Sequence, residues 1–241
     1  MKSARPVWLF DLDNTLHDAS HASFAQTSAA MTDYVVLHLG LGRDDASALR
    51  QHYWHRYGAT LLGVVRHHGV RAAHFLEQTH RLPGLEQRLR TSAHDRAALA
   101  RLPGRKIVVT NAPRAYALRV LGALRLMPLF DAVICIEDMQ MFGQWRPKPD
   151  VRMFRRLLAR LKTPAARCVL VEDTLEHQRS ARALGMRTVW MQRYLGGRFR
   201  GSAVVPRQRG LHGPTLGVHP CRRPSYVCAR IDSLQELRAL R

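Results

Sequence analysis

The chain alternates between two textures. Val7-Trp8-Leu9-Phe10, Ile107-Val108-Val109, Val133-Ile134-Cys135-Ile136, Cys168-Val169-Leu170-Val171 and Thr188-Val189-Trp190-Met191 are short apolar runs. Runs of this length, bounded by polar residues, predict buried strands. Amphipathic stretches lie between them. Pro113 to Leu124 predicts a helix with proline in its first turn. Asp150 to Leu161 predicts another, with Val151, Phe154, Leu157, Leu158 and Leu161 on one face. Glu176 to Leu184 predicts a third, stopped by Gly185. Repeated strand–helix units imply an α/β fold: a doubly wound, Rossmann-like parallel sheet with helices on both faces.

Between the first two strands the texture is different. Residues 17–95 carry helical periodicity alone: Phe24, Met31, Val35, Val36 and Leu39 before Gly40-Leu41-Gly42, then Asp44 to Tyr57, then a helix near His67. This block reads as an inserted all-α cap module, with Tyr57 to Leu62 as a connecting loop. The core is then expected in three pieces, 1–16, 96–196 and 225–241. Residues 197–224 are rich in Arg, Gly and Pro without periodicity and are expected to form a mobile loop. A short strand at Tyr226-Val227-Cys228 and a helix capped at Asp232 or Ser233, with Glu236 following, close the chain.

Polar residues gather where the strands end, and in an open parallel sheet ligands bind at the carboxyl ends of the strands. The first strand runs into Asp11 and Asp13, the second into Thr110-Asn111, and the fourth into Glu172-Asp173-Thr174. The loop after the third carries Arg146-Pro147-Lys148-Pro149-Asp150. Singly, these residues read as a turn, a helix cap, a solvated loop lysine or a helix N-terminal charge. Together, several acids, a lysine and short donors at strand ends suit a metal ion and an anionic substrate. Closely spaced carboxylates are costly to bury without a cation or donors to neutralise them.

The string Asp11-Leu12-Asp13-Asn14-Thr15-Leu16 resembles the first motif of the haloacid dehalogenase-like (HAD) hydrolase superfamily, and the later strand ends match its other motifs in order. The resemblance covers Val7 to about Met191, with Ile231-Asp232-Ser233-Leu234 similar to the last segment. It implies a phosphatase working through an aspartyl-phosphate. Asp11 is then the nucleophile and Asp13 the acid/base. Lys148 bridges Asp11 and the phosphate, and Thr110, Asn111 and Lys148 bind the phosphate. Mg²⁺ is held by Asp11, the backbone carbonyl of Asp13 and Asp173. An acid at position 13 favours a phosphatase or mutase, since a leaving halide needs no proton. Glu172 and His177 are expected behind the ligands; the family often has Asn or Asp where His177 stands.

Three strings, Asp11–Leu16, Tyr57-Gly58-Ala59-Thr60-Leu61 and Val171-Glu172-Asp173-Thr174, are together similar to the pyrimidine 5′-nucleotidase branch. That similarity implies a nucleoside monophosphate as the small phosphorylated partner, with Tyr53, Tyr57 and Arg66 of the cap as substrate contacts. A sugar phosphate or phosphoglycolate is the alternative. Residue by residue, Tyr53 and Tyr57 read more readily as cap core, and His67-His68 and His74 do not read as a metal site.

Composition adds less. The net charge is +20, from 38 Lys and Arg against 18 Asp and Glu. Such a surface attracts anions and admits nucleic acid as a partner of a different class. Most of that charge is arginine spread over helices, which a coding bias explains as well. No apolar run approaches the ~18 residues of a membrane span, and the N-terminal apolar run is too short for a secretory signal, so a cytoplasmic location is expected. Four cysteines form no C-x-x-C pair, and Cys135 and Cys168 fall in strand-like runs as buried thiols.

Overall fold

The computed structural model describes residues 5–195 and 223–240. These residues divide into two compact units. One holds the chain up to Ala19, Leu89 onward and the C-terminal segment; the other holds Ser20–Arg88. The helical block is therefore shorter at its far end than the sequence suggests. Residues 89–95 belong to the sheet-bearing unit, because Asp95 at the start of a helix accepts hydrogen bonds from Ser233 Oγ (2.8 Å) and Leu234 N (3.0 Å).

The sheet-bearing unit is built on six parallel strands. They are β1 (Val7–Phe10), β2 (Arg105–Val109), β3 (Ala132–Ile134), β6 (Cys168–Glu172), β7 (Arg187–Met191) and β8 (Ala229–Ile231), in the order β3-β2-β1-β6-β7-β8. A two-residue-arm hairpin, β4 (Gln140–Met141) with β5 (Gln144–Trp145), lies apart from it. The α/β fold with a doubly wound, Rossmann-like sheet is as the strand–helix alternation predicts. β1 is apolar throughout because it is central and covered on both faces. Val7 and Leu9 join Ile107, Val109, Phe154, Leu157 and Leu170 in one core layer. Trp8 and Phe10 point the other way, with ring centroids 6.4 Å apart and Phe130 edge-on to Phe10 at 5.7 Å. The order reverses beside β1, between β1 and β6, which opens the crevice where ligands bind in such sheets.

The other unit contains α2 (Phe24–Leu39), α3 (Arg43–Tyr57), α4 (Thr60–His68), α5 (Ala72–Thr79) and α6 (Leu85–Arg88), with the short α1 (Ala19–Ala22) at its entry. α3 ends on Gly58 at φ 79°, a left-handed closure that glycine adopts without a Cβ penalty. Arg50, buried, donates to Thr32 Oγ1 (2.9 Å) and Ser28 Oγ (2.7 Å), tying α3 to α2. The expected loop over Tyr57 to Leu62 is corrected: α4 starts at Thr60, and only Gly58-Ala59 connect the helices.

The sheet-bearing unit contains the remaining helices, α7 (Ala93–Arg101), α8 (Arg114–Ala123), α9 (Val151–Leu161) and α10 (Leu175–Ala183). Three local expectations shift. β3 stops at Ile134, because Cys135 N turns to Asp138 Oδ2 (2.9 Å) and opens a 3₁₀ turn. The last strand is Ala229–Ile231, not 226–228: Val227 N bonds Pro224 O (2.9 Å), closing a turn over those residues. The terminal helix is 3₁₀, Leu234–Leu240, with Glu236 Oε1 accepting from Ser233 N (2.8 Å). Burial pushes the thiols of Cys135 and Cys168 up to about 12 and about 11, so both stay protonated. The Arg-, Gly- and Pro-rich loop expected at 197–224 lies almost wholly outside the described residues. Among the described residues, no helix is long and apolar enough to cross a membrane.

Candidate active site

β1 and β6 run in register, Phe10 beside Val171, and Asp11 N donates to Val171 O at 3.0 Å. This sets Asp11 abreast of Glu172 at the reversal of strand order. Lys148 enters from the loop before α9. Its Nζ donates to Asp11 Oδ1 and to Glu172 Oε2, both at 2.7 Å, and its side chain is fully buried. Its backbone is fixed by Asn111, which takes Lys148 N–H on Oδ1 (2.9 Å) and donates from Nδ2 to Lys148 O (2.8 Å). Asn111 thus has one amide hydrogen left for a ligand, and its main work here is to aim the lysine. Thr110 Oγ1 accepts from Ala112 N at 3.0 Å, which leaves its hydroxyl hydrogen to donate.

Asp173 follows Glu172 at the end of β6, and its backbone carbonyl accepts from Trp190 Nε1 at 2.8 Å. Gln178 Nε2 holds the carbonyl of Glu172 at 2.8 Å. Both oxygens of Glu172 are engaged, Oε2 by Lys148 and Oε1 by Thr174 N at 3.2 Å. His177 Nδ1 lies 3.1 Å from Glu172 Oε2, beside the oxygen that takes the lysine. Asp13, two residues after Asp11, keeps part of its side chain exposed. Its Oδ1 receives the Tyr116 hydroxyl at 2.8 Å and faces His17 Nε2 at 2.9 Å.

The electrostatics of this cluster are unbalanced. Asp11, Glu172 and Asp173 offer oxygens within 4.8 Å of one another. Three carboxylates against one lysine leave two negative charges in excess, the charge of one divalent cation. Burial and then the Glu172 charge push Asp11 up to about 7, against the pull of Lys148. Burial, Glu172 and Asp11 likewise push Asp173 well above the carboxylate range. Glu172 goes the other way: burial opposes ionisation, yet Lys148 holds it below its ordinary value. Lys148 is held above its own by Asp11 and Glu172 despite burial. Glu172 is thus the ionised partner of the lysine, while Asp11 shares that same single cation and Asp173 draws least on it. An all-oxygen set with this deficit fits a hard divalent cation such as Mg²⁺.

The structure therefore brings together Asp11, Asp13, Thr110, Asn111, Lys148, Glu172, Asp173 and His177. The residues that sequence reasoning missed are those that hold them, Gln178, Trp190, Tyr116 and His17. The expected substrate contacts lie in the helical unit. Tyr53 is buried, its hydroxyl 2.7 Å from His68 Nε2, and its ring occupies the space that a Cβ on Gly63 would need. Tyr57 pairs through its hydroxyl with His67 Nε2 at 2.6 Å, and the Arg66 guanidinium lies 6.0 Å from the Tyr57 ring centroid.

Comparison with known proteins agrees with this geometry. A family model described as haloacid dehalogenase-like hydrolase matches residues 7–185. The chain is similar to Phosphate metabolism protein 8 of Saccharomyces cerevisiae, 26% identical over 198 residues, covering 76% of this chain and 60% of that protein. It thus spans less than two thirds of that relative's length. Among solved structures, a HAD phosphatase from Thermococcus onnurineus superposes with a TM-score of 0.61 at 20% identity, covering 98% of this chain and 97% of the other. CbbY from Rhodobacter sphaeroides, solved in complex with phosphate, gives 0.57 at 19% identity over 97% and 96%. A putative phosphoglycolate phosphatase from Lactobacillus plantarum gives 0.62 at 13% over 99% and 100%.

Proposed function

This chain belongs to the haloacid dehalogenase-like hydrolase family, and we propose that within it the protein is a divalent-metal-dependent phosphomonoesterase acting on a nucleoside monophosphate. The observation that carries this reading is Asp11, buried at the end of β1 with Oδ1 on Lys148 Nζ at 2.7 Å and a second acid two residues on. Asp11 attacks phosphorus through the oxygen that Lys148 leaves open. The electron pair of the breaking P–O bond goes to the leaving oxygen, which takes a proton from Asp13. Asp13 then takes a proton from water as that water attacks the aspartyl-phosphate, releasing inorganic phosphate and restoring Asp11.

Lys148 offsets charge on the phosphoryl oxygens, and the Thr110 hydroxyl donates to one of them. Asp11, Asp173 and the backbone carbonyl of Asp13 would hold Mg²⁺, which supplies neutralisation of the dianionic ester. Glu172 keeps Lys148 charged and in place, with His177 beside it.

The preference for a nucleotide rests on the likeness of Asp11–Leu16, Tyr57–Leu61 and Val171–Thr174 to the pyrimidine 5′-nucleotidase branch. A phosphate-release screen with Mg²⁺ over nucleoside monophosphates, sugar phosphates and phosphoglycolate tests both levels. Turnover confined to the latter two would reassign the substrate; turnover of no phosphoester would sink the reading. Asp11→Asn is expected to lower kcat on the order of 10⁴-fold, the scale of losing a covalent nucleophile.

A further inference from the structure

We infer that His17 and Tyr116 are positioning residues for the proton transfer, holding Asp13 by Oδ1 so that Oδ2 is the oxygen that carries the proton. This rests on the phosphomonoesterase reading above. The Tyr116 hydroxyl donates to Oδ1 at 2.8 Å from α8, 103 positions away in sequence. His17 Nε2 meets the same oxygen at 2.9 Å from the turn that follows Asp13. Both partners are buried, His17 completely and Tyr116 to 2% exposure, while the Asp13 side chain keeps 21%. No other hydrogen bond to the Asp13 carboxyl is present among the described residues.

In this inference His17 takes the tautomer with its hydrogen on Nε2. Oδ1 then accepts from both His17 and Tyr116, which leaves Oδ2 as the oxygen that carries the proton. The second observation is the cost of the arrangement. His17 Nδ1 is buried with no hydrogen-bond partner. An unsatisfied buried acceptor costs about 1–3 kcal/mol, and an apolar side chain at position 17 would avoid it. The ring is therefore poorly explained as filling and well explained by its Nε2 contact. α8 is itself anchored so that Tyr116 arrives on target: Arg114 N donates to Glu137 Oε1 at 2.9 Å, and the Arg114 guanidinium pairs with Asp138.

In the first step the Oδ2 hydrogen passes to the leaving oxygen as its bond to phosphorus breaks, and Oδ2 is left with the electron pair. An alkoxide needs that proton, whereas p-nitrophenolate leaves without it. The test is therefore the ratio of kcat/KM for a nucleoside or alkyl phosphate to that for p-nitrophenyl phosphate. Because kcat/KM reports steps only through release of the leaving group, later hydrolysis of Asp11 does not enter.

Tyr116→Phe and His17→Leu should each lower the ratio on the order of tenfold, part of the roughly 10²–10⁴ that positioned acids and bases supply. His17→Gln, which keeps a donor, should recover much of the loss relative to His17→Leu. Thermal melting of each variant shows that it is folded. Should Tyr116→Phe unfold the protein, the His17→Leu and His17→Gln pair decides alone. An equal fall on both esters, or an unchanged ratio, would overturn the inference while leaving the phosphatase intact. A wild-type protein that turns over neither ester would instead overturn the functional reading, and this inference with it.

Discussion

The two units treat clustered polar groups in opposite ways. In the sheet-bearing unit, Asp11, Glu172, Asp173 and Lys148 are ionisable, crowded and short of positive charge. In the helical unit, the comparable cluster is Tyr53 with His68 and Tyr57 with His67, each tyrosine hydroxyl matched to one imidazole nitrogen. The first cluster stores unfavourable charge that a bound cation and a phosphate can relieve. The second is satisfied as it stands, each hydroxyl having its imidazole partner. The contrast separates a site from a scaffold by energetics. A cluster that folding alone would not select points to a ligand, whereas a self-consistent one need not.

The largest expected effect follows from breaking the ionic cluster. Lys148→Ala leaves Glu172 and Asp11 buried without their shared cation. Removing one partner of such a pair costs about 3–5 kcal/mol. For a chain of this size that is a fall in Tm on the order of 10 °C. Phosphate release should be lost as well. Urea denaturation of the metal-free variant measures the first and the nucleotide assay the second; a stability within about 1 kcal/mol of wild type would mean the lysine is not holding the cluster together.

Most of this site was legible because strand ends are local. Asp11, Asp13, Thr110, Lys148 and Asp173 stand immediately after apolar runs or in the loop that must return to the sheet, and parallel topology gathers such positions without any knowledge of side-chain contacts. Asn111 was legible as a residue but not in its work, since its bonds run to a backbone 37 positions away. Tyr116 was invisible, as nothing in a helix at 114–123 marks one tyrosine as a partner of Asp13. His17 sits four residues from Asp13, yet a histidine after a turn has many readings until its burial is known. The hairpin at 140–145 carries too few residues to show a period. The strand expected at 226–228 failed because the turn closed by Val227 N on Pro224 O outweighs an apolar triplet.

A second way to sharpen the comparison uses pH in the metal-free protein. Asp11 has an ordinary value of 3.8 and is raised to about 7 in the folded state, and Asp173 is raised as well. Between those values the folded chain binds more protons than the unfolded one. Its stability is therefore fullest below about pH 4 and is lost as pH rises through 7. Glu172, lowered from 4.5, acts in the opposite sense, and its contribution is complete above that value. A cation that binds the ionised acids restores what is lost. The rise in Tm on adding saturating Mg²⁺ should thus be larger at pH 8 than at pH 5.5. Equal shifts at the two pH values would argue that the ion is not meeting these acids.

The helical unit should ignore both variables. Gly63 packs so tightly that a Cβ there would lie 2.0 Å from Tyr53 Cγ. Gly63→Ala is expected to cost about 1–3 kcal/mol through overpacking, despite alanine's better helix propensity. In urea denaturation, the same loss should appear at pH 5.5 and pH 8, with and without Mg²⁺. A loss that changed with Mg²⁺ would couple this packing to the acid cluster and erase the distinction between the units.

The smallest effect is the most discriminating for the helical unit. Tyr53→Phe removes only the hydroxyl that meets His68 Nε2. A neutral hydrogen bond contributes about 0.5–1.5 kcal/mol. His68 is exposed, so water can replace the lost donor and the cost should fall at the low end of that range. If Tyr53 is packing, KM for the nucleotide should not change, because the ring that fills the space over Gly63 is still present. A KM raised several-fold with stability intact would return Tyr53 to the substrate, and with it the reading of the Tyr–His pairs as a contact surface. The two outcomes are opposite in both observables, so one variant measured twice decides whether this cluster is only scaffold.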